Sequence, residues 1–136
     1  MTNNEKFQLS IIEGILTWLD NNVTECISIQ HVSKYSGYSQ WHLQRIFKKY
    51  TGVSLGCYVK KKQMYFAALD ILETDMDILQ VAMKYGYESQ QTFTRAFKAN
   101  FLINPGRLRR LALHEKKDFR KKISRYPTAF LSYKYE

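Results

Sequence analysis

Two sets of side chains in this sequence carry the donors and acceptors that reading nucleic-acid bases requires. Trp41, Gln44, Arg45 and Lys48 recur at three-and-four spacing, and so do Gln91, Thr94, Arg95 and Lys98, with Gln90 just before the second set. On a helix that spacing gathers side chains onto one face. Arg can donate two bonds to O6 and N7 of guanine, Gln can pair with N6 and N7 of adenine, and Thr or a Trp ring can pack on a thymine methyl. Each good bidentate pair discriminates by about 1–3 kcal/mol. Catalysis finds no comparable set. His31, His42 and His114 lack ligand spacing, Cys26 and Cys57 match no CxxC or Cys/His pattern, and the carboxylates are scattered. Neither a two-metal centre nor a nucleophile beside a base is expected, so an enzyme acting on DNA is not the reading, and no cofactor is called for. The two cysteines read as small apolar residues.

Each set needs a helix anchored by its opposite side. Leu43, Ile46, Phe47 and Tyr50 supply that inward stripe in the first; Phe93, Ala96, Phe97 and, less regularly, Asn100 or Phe101 supply it in the second. Ser39 and Ser89 precede these helices as N-caps, over Gln40 to about Tyr50 and Gln90 to about Asn100. Capped N-termini also turn free N–H groups and a positive dipole end toward phosphates, which makes Ser39 and Ser89 phosphate candidates. Before each cap come a short helix and a glycine turn: IQHVSKYS after Ser28, then Gly37, and ILQVAMKY after Asp75 or Asp77, then Gly86. Two helices joined through such a turn are a helix-turn-helix, whose second helix can enter a major groove.

The two units superpose with an offset of 49, becoming 50 after an inserted Glu88. Val32 matches Val81, Gly37 Gly86, Tyr38 Tyr87, Ser39 Ser89, Gln40 Gln90, Arg45 Arg95, Phe47 Phe97 and Lys48 Lys98. This is an internal duplication, and two copies are too few for a solenoid. The residues that fold each unit are kept, whereas Trp41, His42 and Gln44 stand against Gln91, Thr92 and Thr94. Units that differ there cannot read the same half-site. A monomer on an asymmetric, non-palindromic site of about 20 base pairs is expected, from two groove entries one turn apart.

The remaining elements must hold the two units in register. From Glu5 to Asn22, Phe7, Ile11, Ile12, Ile15, Leu16, Trp18 and Leu19 predict an amphipathic helix. From Ser54 to Glu73 a long helix is expected, with Leu55, Tyr58, Val59, Tyr65, Phe66, Leu69 and Leu72 along one side. Its length of about 30 Å approaches the 34–36 Å between successive major-groove faces. Asn104-Pro105 opens a final basic helix to about Leu113, and residues 114–136, with five aromatics and no sustained period, read as a loosely held basic tail. The expected fold is all-α: seven helices forming two helix-turn-helix, homeodomain-like subdomains. These are residues 5–53 and 74–113, joined by a connecting helix at 54–73.

Composition narrows the partner. A chain of 136 residues can bury a core but leaves no room for a separate small-molecule effector domain. Its 21 Lys and Arg against 12 Asp and Glu give a net charge of +9, which suits a polyphosphate or an anionic lipid. No run of about 18 apolar residues exists and MTNNEKFQL does not read as a signal peptide, so a cytoplasmic protein is expected. Lys48, Lys49, Lys60, Lys61, Lys62, Lys98, Arg107 and Arg109 are the candidates for phosphate contacts. An architectural DNA-bending protein is the alternative, although a binder of backbone alone has no use for Gln and Trp in its reading stripes. A repressor that docks in the same way is another.

The segments SGYSQWHLQRIFKKYTGVSLGCYV and YGYESQQTFTRAFK resemble the two recognition regions of the AraC/XylS family of bacterial transcription activators, in its stand-alone subgroup typified by MarA, SoxS and Rob. The similarity runs from about residue 8 to about residue 112. It implies the seven-helix, two-subdomain fold, with Trp41, Gln44 and Arg45 reading bases in one groove and Gln90, Gln91, Thr94 and Arg95 in the next. It also implies double-stranded promoter DNA and RNA polymerase as partners, in the bacterial nucleoid. The family's P-x-x-[YF]-R appears as Pro105-Gly106-Arg107-Leu108-Arg109, so a role tied to that aromatic ring does not carry over to Leu108.

Overall fold

The computed structural model describes residues 2–22 and 29–124. Among the described residues there are eight helices and no strand: α1 (Asn3–Asn22), α2 (Ile29–Ser36), α3 (Gln40–Thr51), α4 (Leu55–Glu73), α5 (Ile78–Lys84), α6 (Gln90–Phe101), α7 (Pro105–Arg110) and α8 (Leu113–Ile123). The helix starts follow their capping residues. Ser39 Oγ accepts from the His42 N–H at 3.2 Å, Ser54 from Cys57 at 3.1 Å, Ser89 from Thr92 at 3.1 Å and Asn104 Oδ1 from Arg107 at 2.7 Å. Of the two aspartates before α5 it is Asp77 that caps, with Gln80 returning the bond in a reciprocal box. The expected cap Ser28 and Cys26 lie outside the described residues. Gly37 and Gly86 sit at φ of 79° and 86°, the left-handed turn that both units require between their helices.

Apolar residues gather in two clusters. The first joins Ile12, Ile15, Leu16 and Leu19 of α1 to Val32 of α2, Leu43, Ile46 and Phe47 of α3, and Leu55, Tyr58 and Val59 of α4. The second joins Met64, Ala67, Ala68 and Ile71 of α4 to Val81, Ala82, Tyr85, Phe93, Phe97, Leu108 and Ile123. The single helix α4 therefore belongs to both, its first two turns to one cluster and its later turns to the other. That corrects the expectation of one apolar side. Tyr65, Phe66, Leu69 and Leu72 are only partly buried, because the small Ala67 and Ala68 let neighbouring helices approach the other faces. Phe7 is likewise exposed, at the end of α1 beyond the first cluster. Cys57, expected as an apolar filler, is free and exposed on α4.

The eighth helix is a second correction. Residues 114–123, read as part of a loose tail, belong with Leu113 to α8, with Ile123 buried and Phe119 edge-on to Phe101 at 5.6 Å. Meanwhile α7 stops at Arg110, short of the expected Leu113, because Leu111 adopts an extended conformation. Polar bonds fasten the C-terminal end of α4 to the second cluster's helices. Asp70 Oδ2 accepts from Lys84 Nζ at 2.9 Å and Tyr85 Oη at 2.7 Å. Arg109 donates to the carbonyls of Ile71 and Thr74, both at 3.1 Å, where a helix end leaves acceptors unpaired. Burial and the Asp70 carboxylate push the Tyr85 phenol well above its ordinary range.

The internal repeat runs further than the reading helices. Ser54 and Asn104 both cap, Gly56 aligns with Gly106, and Tyr58 and Leu108 are both fully buried, all at the offset of 50. Gly52 and Leu102 also correspond, and both hold the left-handed conformation after their helix, at φ of 82° and 62°.

Candidate nucleic-acid interface

On α3, Leu43, Ile46 and Phe47 are buried and turn the opposite face outward. Tyr50 completes the anchor, its hydroxyl donating to Gln8 Oε1 of α1 at 3.0 Å. Thr51 closes the helix by donating to the Phe47 carbonyl at 2.8 Å. Trp41, Gln44, Arg45, Lys48 and Lys49 line one surface depression together with Ser54. Trp41 is 69% exposed, and the Arg45 guanidinium lies over its ring at 4.9 Å from the centroid. The contribution of Ser54 escaped the sequence reading, in which it only opened the long helix. Its pairing with Asn104 at the repeat offset is the signal that marks it as a second exposed cap beside the stripe.

On α6, Phe93 and Phe97 are buried, with rings 5.7 Å apart, and Tyr87 packs edge-on to Phe93 at 5.3 Å beneath the N-terminus. Burial raises the Tyr87 phenol pKa. Gln90, Gln91, Thr94, Arg95 and Lys98 line a single depression on the outer face, with Thr94 half-buried and the others exposed. Ser89 Oγ lies 2.9 Å from Thr92 Oγ1 as well as accepting the Thr92 amide. Both reading sets are thus brought together as sets. Each is a depression floored by a helix and rimmed by cations, able to offer paired donors to base edges and charge to phosphates.

The phosphate candidates divide. Lys48, Lys49, Lys60, Lys98 and Arg107 are exposed. Lys49 also lies over the Tyr50 ring at 5.2 Å, and Lys61 is half-buried. Lys62 is buried at 7% exposure, its ammonium 5.6 Å from the Tyr58 ring, so its charge faces the protein. Arg109 is occupied with the carbonyls at the end of α4. These two are placed by the fold as internal ties, and Leu108, at the position of the missing aromatic ring, is a fully buried core residue.

Among the described residues no group of three or more His, Cys, Asp or Glu could hold a metal ion, and no helix is long and apolar enough to cross a membrane. Comparison with known proteins places the chain in a family. A helix-turn-helix domain family matches residues 32–111. The HTH-type transcriptional activator AarP of Providencia stuartii is 40% identical over 100 residues, covering 74% of each chain. The multiple antibiotic resistance protein MarA of Escherichia coli is 42% identical over 115 residues, covering 85% of this chain and 91% of its own. Among solved structures, the C-terminal domain of AraT, a response regulator from Geobacillus stearothermophilus, superposes with a TM-score of 0.65 at 26% identity, over 74% of this chain and 84% of that one. The DNA-binding domain of AdpA, solved with a target DNA, shares the fold at a TM-score of 0.63 and 16% identity, over 72% of this chain and 88% of that one. The chain therefore belongs to the AraC-type helix-turn-helix family of DNA-binding transcription regulators, and within it to the MarA-like activators.

Proposed function

We propose that this protein is a sequence-specific transcription activator that binds, as a monomer, an asymmetric promoter site through two adjacent major grooves and recruits RNA polymerase there, in the bacterial cytoplasm at the nucleoid. Residues 5–53 and 74–113 act as the two helix-turn-helix subdomains on the connecting helix 54–73. The observation that carries this reading is the pair of exposed, depression-lining stripes, alike in position and different in residue type. Trp41, Gln44 and Arg45 read bases in one groove; Gln90, Gln91, Thr94 and Arg95 read them in the next. Around them Ser39, Ser89, Lys48, Lys49, Lys60, Lys61, Lys98 and Arg107 hold the phosphates, with Ser54 added to that set. At 19 residues, α4 is about 28 Å long, enough to keep the two reading helices about one turn of DNA apart.

Selection from random duplexes, footprinting and a binding stoichiometry test this together. The expected result is one protein on an uninterrupted, non-palindromic footprint of about 20 base pairs, with no small molecule added. A symmetric footprint holding two copies overturns it. Arg95→Ala should lose discrimination at particular base pairs, by about 1–3 kcal/mol, and not weaken every sequence alike. Transcription with purified polymerase then separates activation from mere occupancy: added protein should raise the transcript from a promoter carrying the site. Unchanged or lower output would leave a binder that bends or blocks.

A further inference from the structure

The two reading helices differ in how their arginines are held. On α3, Trp41 and Arg45 stand at i and i+4, and the guanidinium lies 4.9 Å from the centre of the indole ring, within the range where a cation is drawn to a π face. On α6 the residues fifty positions on are Gln91 and Arg95, and an amide offers no such face. Trp41 is 69% exposed, so the ring contributes little to the core and its face is open to a helical neighbour. A free arginine on a helix surface samples many rotamers, and fixing it on a base costs conformational entropy at the moment of binding. A side chain already resting on a ring has met part of that cost beforehand.

We propose that Trp41 is a positioning residue for Arg45, holding its guanidinium on the outer face of α3 before DNA arrives. The base pair read by Arg45 is in consequence discriminated more sharply than the one read by Arg95. This rests on the base-reading roles proposed above for the two arginines. Any contact that the indole makes with a base of its own is separate, and falls at a different position of the site.

The test uses the full chain and duplexes in which each base pair of the selected site is replaced in turn. Wild type is compared with Arg45→Ala, Arg95→Ala, Trp41→Ala, Trp41→Phe and the double variant Trp41→Ala/Arg45→Ala. Arg45→Ala identifies its base pair. Trp41→Ala should lower discrimination at that same pair by roughly two- to fivefold, the size expected of an exposed cation–π contact. Trp41→Phe should restore part of it. The double variant should do no worse there than Arg45→Ala alone, and the pair assigned to Arg95 should not move. Discrimination at the Arg45 pair that is unchanged in Trp41→Ala, or that falls equally whether or not Arg45 is present, overturns the inference while leaving the base reading intact. Equal weakening of every duplex by Arg45→Ala overturns the base reading itself, and the inference with it. Melting curves taken alongside should superpose, since an exposed ring is being removed.

Discussion

Leu102 shows at a single position what the repeat tolerates. It occupies the place held by Gly52 in the first unit, keeps the same left-handed turn at φ of 62°, and is 87% exposed. A side chain with a Cβ in that conformation costs roughly 1–2 kcal/mol, which glycine avoids while giving back part of the gain through its freer unfolded chain. Leu102→Gly should therefore raise stability by about 0.5–1 kcal/mol in urea denaturation. A loss would show that the leucine packs more firmly than its exposure implies. The arginines teach a related lesson. Arg107 and Arg109 look equivalent in the string PGRLRR, yet one is exposed and the other caps the end of α4. Two residues along a helix is over half a turn, so neighbours of the same charge face different surroundings.

At the scale of elements, α8 and the joint between α4 and α5 carry most of what the sequence did not disclose. α3 and α6 were readable because their inward residues are aromatic or large aliphatic, and recur through a whole helix behind a serine cap. α8 has only Phe119 and Ile123 turned inward, one turn apart among charged residues, and its N-cap position is Ala112, which has no side-chain acceptor. Ile123→Ala should cost about 2 kcal/mol in denaturation, whereas truncation of a loose tail would cost nothing. The joint at Asp70 was illegible for a different reason. Its partners Lys84 and Tyr85 are 14 and 15 residues away, and only the folded chain brings them to one carboxylate. It yields a pH signature. Tyr85 and Tyr87 are both shifted upward from an ordinary value of 10.0. Below about pH 10 both states keep the phenol protons and the contribution is whole. Above it the unfolded chain ionises first, so stability should fall as pH rises. Tyr85→Phe should start lower, having lost a bond to Asp70, and decline less steeply between pH 9 and pH 11, approximate limits set by the ordinary phenol range; an equal decline would exclude Tyr85 as a source.

For the whole molecule the net charge of +9 matters less than how it is distributed. Each phosphate neutralised contributes about 0.9 to the slope of log affinity against log salt. Lys48→Gln should therefore reduce that slope by about one contact, while Lys62→Met should leave it unchanged, because the Lys62 charge is buried against Tyr58. Equal effects would mean that Lys62 swings out on binding. The helix α4 has a consequence of its own, since it is unbroken and packed into both clusters. It works as a gauge with a thread. One residue added at its middle would advance the second unit by about 1.5 Å and rotate it by about 100°. One base pair added to the site advances by about 3.4 Å with a rotation of roughly 35°. No number of added base pairs restores both distance and phase, so on the proposed two-groove reading a one-residue change in this helix has no matching change in the spacing of the site.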